Sequence, residues 1–357
     1  MGTDTGGGDS RVLSVIVPVR NGAQFLPRSL AALRASTPGS WTWELILVDD
    51  GSTDGSAEIA EGLADRVIRL PSAVRPAAAR NAGAAVARGG ILVFVDADVS
   101  VHADTLGRIH EFLAGHPEVD AVFGAYDASP AAPGLVSQYR NLLHHYVHQR
   151  EAGETVTFWA GLGAIRRAAF ERAGRFDDRQ YLVEDIELGY RLSGQGHRIV
   201  LRPEIQGTHL KRWTLGSMVL ADVWHRGVPW VRLLLERRHS IKRATLNIRL
   251  GEQILTGLAA TAVALAIAAL ASGEASLIVA AAMAAGLTVA GDWRFTRWLA
   301  RSRGWWFAVR AIPLRLMYYA LNVISAGLGL LQACADRRLP AALPAASAVR
   351  QADKTPA

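Results

Sequence analysis

The sequence predicts an α/β protein: an open, mostly parallel, Rossmann-like sheet followed by an α-helical membrane segment. Three observations carry that prediction. Short β-branched runs alternate with helical patterns, polar clusters follow the runs, and three long uncharged stretches lie toward the C-terminus. The 357 residues leave room for about two ordinary domains. Half the residues are hydrophobic and 20% are charged, which excludes disorder for most of the chain. The single cysteine, Cys334, excludes a disulfide framework within the chain and a Cys-cluster zinc site.

The strand-like runs are residues 12–17, 44–48 and 91–95, each short, apolar and rich in β-branched side chains. Between them, 23–34, 56–63 and 75–88 carry helical patterns. In such a sheet, ligands bind beyond the carboxyl ends of the strands. The polar clusters stand there: Pro18-Val19-Arg20-Asn21-Gly22, Asp49-Asp50-Gly51-Ser52-Thr53-Asp54 and Asp96-Ala97-Asp98. One such cluster reads equally as turn chemistry, because Asp, Gly, Ser and Asn are ordinary loop and N-cap residues. Three at one sheet edge point to a ligand.

Asp96 and Asp98, one residue apart in a segment read as extended, point the same way and make a hard-oxygen site suited to Mg²⁺ or Mn²⁺. Two carboxylates do not cage a cation, so water and substrate phosphate complete the set. Arg80, ahead of Asn81 and Gly83, offers a guanidinium for phosphate or base.

The ordered set of these pieces resembles the family 2 glycosyltransferases with the GT-A fold. It comprises the Val15–Asn21 and Val48–Asp54 segments, Arg80-Asn81-Ala82-Gly83 and Asp96-Ala97-Asp98. Gly161-Leu162-Gly163-Ala164 with Arg166-Arg167, then Gly174-Arg175-Phe176-Asp177, then the 184–192 stretch from Glu184-Asp185 to Arg191-Leu192 complete it. The resemblance covers residues 11–213, the expected catalytic domain. It implies a nucleotide-diphosphate sugar donor bound through Pro18, Arg20, Asn21, Asp50, Arg80 and Asp96. Pro18 and Asp50 would line the base pocket, Arg80 would meet base or phosphate, and Asp96 would touch the ribose and the metal. Asp98 would bind the metal directly. Asp185, with Glu184 beside it, would be the general base of an inverting transfer.

A base bears on the acceptor. A hydroxyl must lose its proton as it attacks, whereas a polyprenyl phosphate need not. Asp185 therefore favours a hydroxyl on a membrane lipid or lipid-linked glycan. The alternatives are a polyprenyl-phosphate glycosyltransferase resembling dolichyl-phosphate mannose synthase, and a catalytically silent membrane scaffold. Neither the metal motif nor the base motif is broken, which disfavours the scaffold.

His209-Leu210-Lys211-Arg212-Trp213 stands where processive relatives carry Gln-x-x-Arg-Trp, with His at the Gln position. Two readings stay open: Arg212 clamps the diphosphate and His209 adds a metal ligand, or the stretch is a juxtamembrane basic-aromatic anchor. His144 and His148 lie one turn apart on an expected helix over 135–149, which reads as an amphipathic cover more than as a metal pair.

Residues 201–250 hold ten Lys/Arg against three acids, the whole net charge of +7. A block like this fits nucleic acid, but it directly precedes uncharged runs, which favours a membrane partner and no nucleic acid. The expectation for 214–249 is a pair of basic interfacial helices broken at Pro229. The runs themselves are 254–273, 275–291 and 316–335. Twenty helical residues span roughly 30 Å, one hydrocarbon thickness. Cations before the first run, and Arg294, Arg297, Arg301 and Arg303 after the second, put the catalytic domain in the cytoplasm at the inner membrane. Arg337 and Arg338 conflict with that topology unless the third run is re-entrant. Residues 1–10 and 336–357 are expected to be disordered, and no signal peptide is expected at the N-terminus.

Overall fold

The computed structural model describes residues 9–37, 39, 41–180, 182–237 and 250–338. Strands β1 (Asp9–Val19), β2 (Thr42–Asp49), β3 (Arg66–Arg69) and β4 (Gly89–Val95) alternate with α1 (Leu26–Arg34), α2 (Ser56–Glu61) and α3 (Pro76–Val86). All four strands run parallel in the order β3-β2-β1-β4. The three expected strands and three expected helices are present, and β1 begins at Asp9, inside the stretch expected to be disordered.

The second half follows a different rule. It runs β5 (Val99–Val101), α4 (Thr105–Gly115), β6 (Ala121–Tyr126), α5 (Leu135–Arg150), β7 (Gly153–Thr155), β8 (Leu162–Arg166), α6 (Arg167–Arg172), α7 (Glu184–Gly194) and β9 (Ile199–His209). These extend the sheet as β4-β8-β6-β9-β5, with β8 antiparallel to β4 and β6, and β7 on β9. The longest of them, β9, alternates buried and more open residues along its length. Pro203 and Gly207 within it read locally as strand breakers, yet the period of two survives and turns the last residue, His209, inward.

Two apolar layers cover the two sheet faces, one around Leu13, Val15, Leu30 and Val93, the other around Ile16, Phe94, Phe158 and Phe170. In the second layer α3 lies directly on β1 and β2. A Cβ at Gly83 would meet Ile16 at 2.5 Å, so glycine permits the approach that carries Arg80 over the strand ends.

The C-terminal part contains α8 (Leu215–Leu220), a π turn (Ala221–Gly227), α9 (Val228–Glu236), α10 (Leu250–Ser272), α11 (Ala275–Gly291), α12 (Trp293–Arg303) and α13 (Trp305–Arg338). Residues 215–236 form one continuous helical stretch rather than two helices broken at Pro229. Proline lacks an N–H and its ring crowds the carbonyl four residues earlier; the π turn just before it widens the helix there. The basic residues at 238–249 lie outside the described residues.

Among the described residues two helices are long and apolar enough to cross a membrane, Leu250–Ser272 and Trp305–Ala335, or three if α11 and α12 count as one bent span. The third run thus starts at Trp305, not at 316, and is one helix containing Pro313. A sharp bend falls between α11 and α12, which meet at 63°. Arg315 of α13 secures that bend: its guanidinium reaches Asp292 at 2.6 Å and Glu252 at 3.4 Å, tying three helices together.

Candidate active site

The loops after β1 and β2 are laced to each other. Asn21, at φ +51°, accepts from the Thr53 N–H at 2.8 Å, and its own N–H donates to Ser52 Oγ at 2.9 Å. Asp54 accepts from Ala23 N–H at 2.9 Å. Asp50 is buried and receives the N–H groups of Val74 at 2.6 Å and Arg75 at 3.2 Å, holding the entrance to α3. Arg75 sits at φ +86°, a region that favours glycine, so this entrance is strained. Pro18 pairs with Val48 near the end of β1, and Arg20 is exposed.

A second group meets where β4, α3 and α7 converge. Arg80 is 5% exposed; it donates to Glu184 Oε1 and, at 2.9 Å, to Asp96 Oδ1. Both ends of its fork are therefore occupied by carboxylates. The Asp96-Ala97-Asp98 segment is a turn, closed by Val99 N–H to the Asp96 carbonyl at 2.9 Å, rather than extended chain. Its two carboxylates nevertheless face the same cavity. Burial and the neighbouring Asp98 push the Asp96 carboxyl up, against the pull of Arg80. Burial also acts to raise Asp98, but His209 and Lys211 outweigh it and hold that carboxyl below the usual range.

His209 contacts Asp98 at 3.5 Å from the end of β9 and stacks on Tyr126, ring centroids 4.4 Å apart. The donor set of Asp96 and Asp98 is hard oxygen and suits Mg²⁺ or Mn²⁺ completed by water and phosphate. Among the described residues no group of three or more His, Cys, Asp or Glu is arranged to hold a metal, His209 included.

Glu184 and Asp185 open α7, where the helix dipole favours carboxylates. Asp185 accepts from Ala160 N–H at 3.1 Å and Ile186 N–H at 2.8 Å. Burial, then the charge of Glu184, push it up to about 6 despite those bonds and Arg80. A carboxyl at that value is poised to take a proton near neutrality. Val183, just ahead, has φ +57°, an outlier for a β-branched residue. A Cβ at Gly189 would lie 2.3 Å from Phe158 N, so α7 packs directly on the loop that supplies Ala160 N–H.

The cavity measures about 500 Å³. Arg80, Asp96, Asp98, Glu184, Asp185 and His209 line it; Pro18, Arg20, Asn21, Asp50 and Arg212 do not. Arg212 is exposed, and the neighbouring Lys211 lines the cavity instead, 4.5 Å over the Trp213 ring.

The far wall comes from β6, α5 and the C-terminal helices. Tyr126 lies against both His209 and His144, and the His144 and His148 ring centroids are 3.9 Å apart with the planes tilted by 37°. His148 faces the Gly124 carbonyl at 3.0 Å through Nδ1, and burial pushes it down to about 4. Burial and His148 hold His144 well below its ordinary value too, so both are neutral aromatic walls near neutrality. Arg140, Arg226, Trp230 and Tyr318 also line this wall, and none was singled out as a site residue by local pattern. The one available signal was charge within the apolar 215–235 stretch.

The family described as Glycosyl transferase family 2 matches residues 14–174. This chain carries a family 2 glycosyltransferase domain. The chain is 27% identical over 210 residues to Glycosyltransferase AglE of Haloferax volcanii, covering 56% of this chain and 67% of that one. It is 29% identical over 255 residues to the pre-mycofactocin glycosyltransferase of Mycobacterium tuberculosis, covering 68% of this chain and 51% of the relative. It thus spans about half the length of that relative, and 54% of the validoxylamine A glucosyltransferase of Streptomyces hygroscopicus. Among solved structures it resembles the mannosyltransferase PcManGT of Pyrobaculum calidifontis, with TM-score 0.58 and 22% identity over 86% of this chain and 89% of the other. That likeness gives the shared GT-A fold of the family 2 domain.

Proposed function

We propose that this chain is a membrane-anchored, metal-dependent, inverting glycosyltransferase. In this reading it moves a sugar from a nucleotide-diphosphate sugar to a hydroxyl of a membrane lipid or lipid-linked glycan. The observation that carries the reading is one cavity lined together by Asp96, Asp98, Asp185 and Tyr318 of the membrane-type helix α13. The solved mannosyltransferase was captured with GDP-Man and Mn²⁺.

Asp98, kept ionised by His209 and Lys211, and Asp96 would hold a divalent cation. When bound, that ion neutralises charge on the departing diphosphate. Asp50, Pro18, Arg20 and Asn21 line the rim assigned to the nucleotide, and Arg80 orients Asp96 and Glu184 rather than reaching the ligand itself. Asp185 accepts the acceptor hydroxyl's proton as the new bond from that oxygen to the anomeric carbon forms. The bond from the anomeric carbon to phosphate breaks, and the nucleoside diphosphate leaves with the electron pair. Single displacement inverts the anomeric centre. Tyr126, Trp159, His144 and His148 are uncharged walls that shield the reacting centre from bulk water.

In this reading the catalytic domain is held at the cytoplasmic face of the inner membrane, as the Lys/Arg placement around the apolar runs favours. The test is purified full chain in detergent with radiolabelled nucleotide sugars, Mn²⁺ and a membrane lipid extract. Lipid-soluble label that resists mild acid is expected; failure of every donor to release nucleoside diphosphate would refute the proposal.

A further inference from the structure

We propose that Trp230 and Arg237 of α9 are positioning residues for the catalytic base, fastening the helix that carries Asp185. This rests on the role proposed above for Asp185. The start of α7 is poorly held by its own sequence. Its N-cap, Val183, makes no side-chain capping bond and sits at φ +57°. That conformation in a β-branched residue persists only where neighbouring structure imposes it. The Phe158 backbone against Gly189 is one such contact. The helix α9 supplies another.

Two polar ties run from α9 to α7. Trp230 Nε1 donates to the Tyr190 hydroxyl at 3.1 Å, and Arg237 donates to Glu187 Oε1 at 2.5 Å. Trp230, Leu233 and Leu234 also pack in one apolar cluster with Val183, Ile186 and Tyr190.

The tie at Glu187 is more than charge balance. Glu187 is fully buried, and Arg191 of its own helix already meets both carboxylate oxygens at 2.8 Å. One cation suffices to neutralise one buried carboxylate. A second guanidinium, brought in from 50 residues along the chain, adds attachment instead. Arg191 also donates to the carbonyls of Ala173 and Arg175, so Glu187 joins α9, α7 and the turn after α6 at one point.

These ties lie beside the chemistry. Trp230, Val183 and Ile186 line the same cavity as Asp185, and the Ile186 N–H donates to Asp185 at 2.8 Å. Loosening α9 therefore frees the first turn of α7 and admits water next to the carboxylate. Burial is the largest cause of the raised Asp185 pKa, so hydration lowers it from about 6 toward the ordinary 3.8. The charged groups facing Asp185 are Glu184 beside it, Arg80 from α3 and Arg226 from the π turn. No substitution at Trp230 or Arg237 removes any of them.

The experiment uses full chain in detergent with radiolabelled nucleotide sugars, Mn²⁺ and a membrane lipid extract, across pH 5 to 8. Arg237→Gln should lower kcat about 10-fold or more with the donor KM unchanged, the scale of a small misplacement of a reacting group. Arg237→Lys should recover part of the loss, since an ammonium still reaches one oxygen of Glu187. Trp230→Phe keeps a ring and removes the N–H, and should give a smaller loss in the same direction. In both Arg237→Gln and Trp230→Phe the acid limb of kcat should move to lower pH. Trp230→Phe decides the matter if Arg237→Gln does not fold. A kcat equal to that of the parent, or a lowered kcat with an unmoved acid limb, overturns the positioning role. If Asp185→Asn is inactive in the same assay, the base assignment survives that outcome. Near-normal turnover in Asp185→Asn overturns the base and the positioning role together.

Discussion

Arg80 and Glu184 stand 104 residues apart in the chain and meet as a hydrogen-bonded ion pair in the interior. The other arm of the same guanidinium holds Asp96 at 2.9 Å. One side chain thereby sets the distance between the carboxylates at the two sides of the proposed reaction.

Breaking that bridge leaves two buried carboxylates without their cation. Arg80→Ala should destabilise the protein by about 3–5 kcal/mol, the usual cost of removing one partner of a buried pair. Arg80→Lys should recover only part, since an ammonium cannot fork to both acids. Thermal unfolding of the detergent-solubilised variants measures this.

The proposed base titrates where activity can report it. Asp185 must be ionised to accept a proton and is pushed up to about 6. Transfer to a hydroxyl should therefore fall as pH drops through about 6. Asp185→Asn should lower turnover by about 10²- to 10⁴-fold while still binding donor. A rate independent of pH between 5 and 7, or near-normal turnover in the variant, contradicts the assignment. Stability carries the opposite sign. The folded state holds this proton more tightly than the unfolded chain, so its contribution is full below the ordinary 3.8 and is lost as pH rises through about 6.

Removal of the cation tests the acidic turn. Chelation with EDTA should abolish transfer, and Mn²⁺ or Mg²⁺ should restore it. Asp98→Asn should weaken donor binding in the presence of Mn²⁺ toward the level seen without metal, as read by calorimetry. Equal donor affinity with and without metal would remove Asp96 and Asp98 from that role.

Gly189 offers a test of packing behind the base. Adding a methyl there forces a shift against Phe158 N at 2.3 Å. Gly189→Ala should cost about 1–3 kcal/mol by overpacking. It should also slow turnover more than it alters donor binding, because it moves the loop that supplies Ala160 N–H to Asp185.

Much of the fold could be read directly. The parallel half, β1 to β4, is written as local β-branched runs and helical periods, so neighbours in sequence are neighbours in space. The carboxylates were equally legible, because Asp96-Ala97-Asp98 and Glu184-Asp185 follow or precede regular elements. The antiparallel half was not. β8 inserts between β4 and β6 after more than sixty intervening residues, a pairing that no local period encodes. β9 hides behind Pro203 and Gly207.

The sequence by itself determined the family 2 domain, the acidic residues of its rim and the presence of long apolar helices. These depend on residue type and short-range spacing. Only the tertiary structure decided that Arg80 is spent on Glu184 and Asp96, and that Lys211 rather than Arg212 lines the cavity. Those outcomes depend on which distant charges share a buried space, and a linear chain does not carry that information until its elements pack.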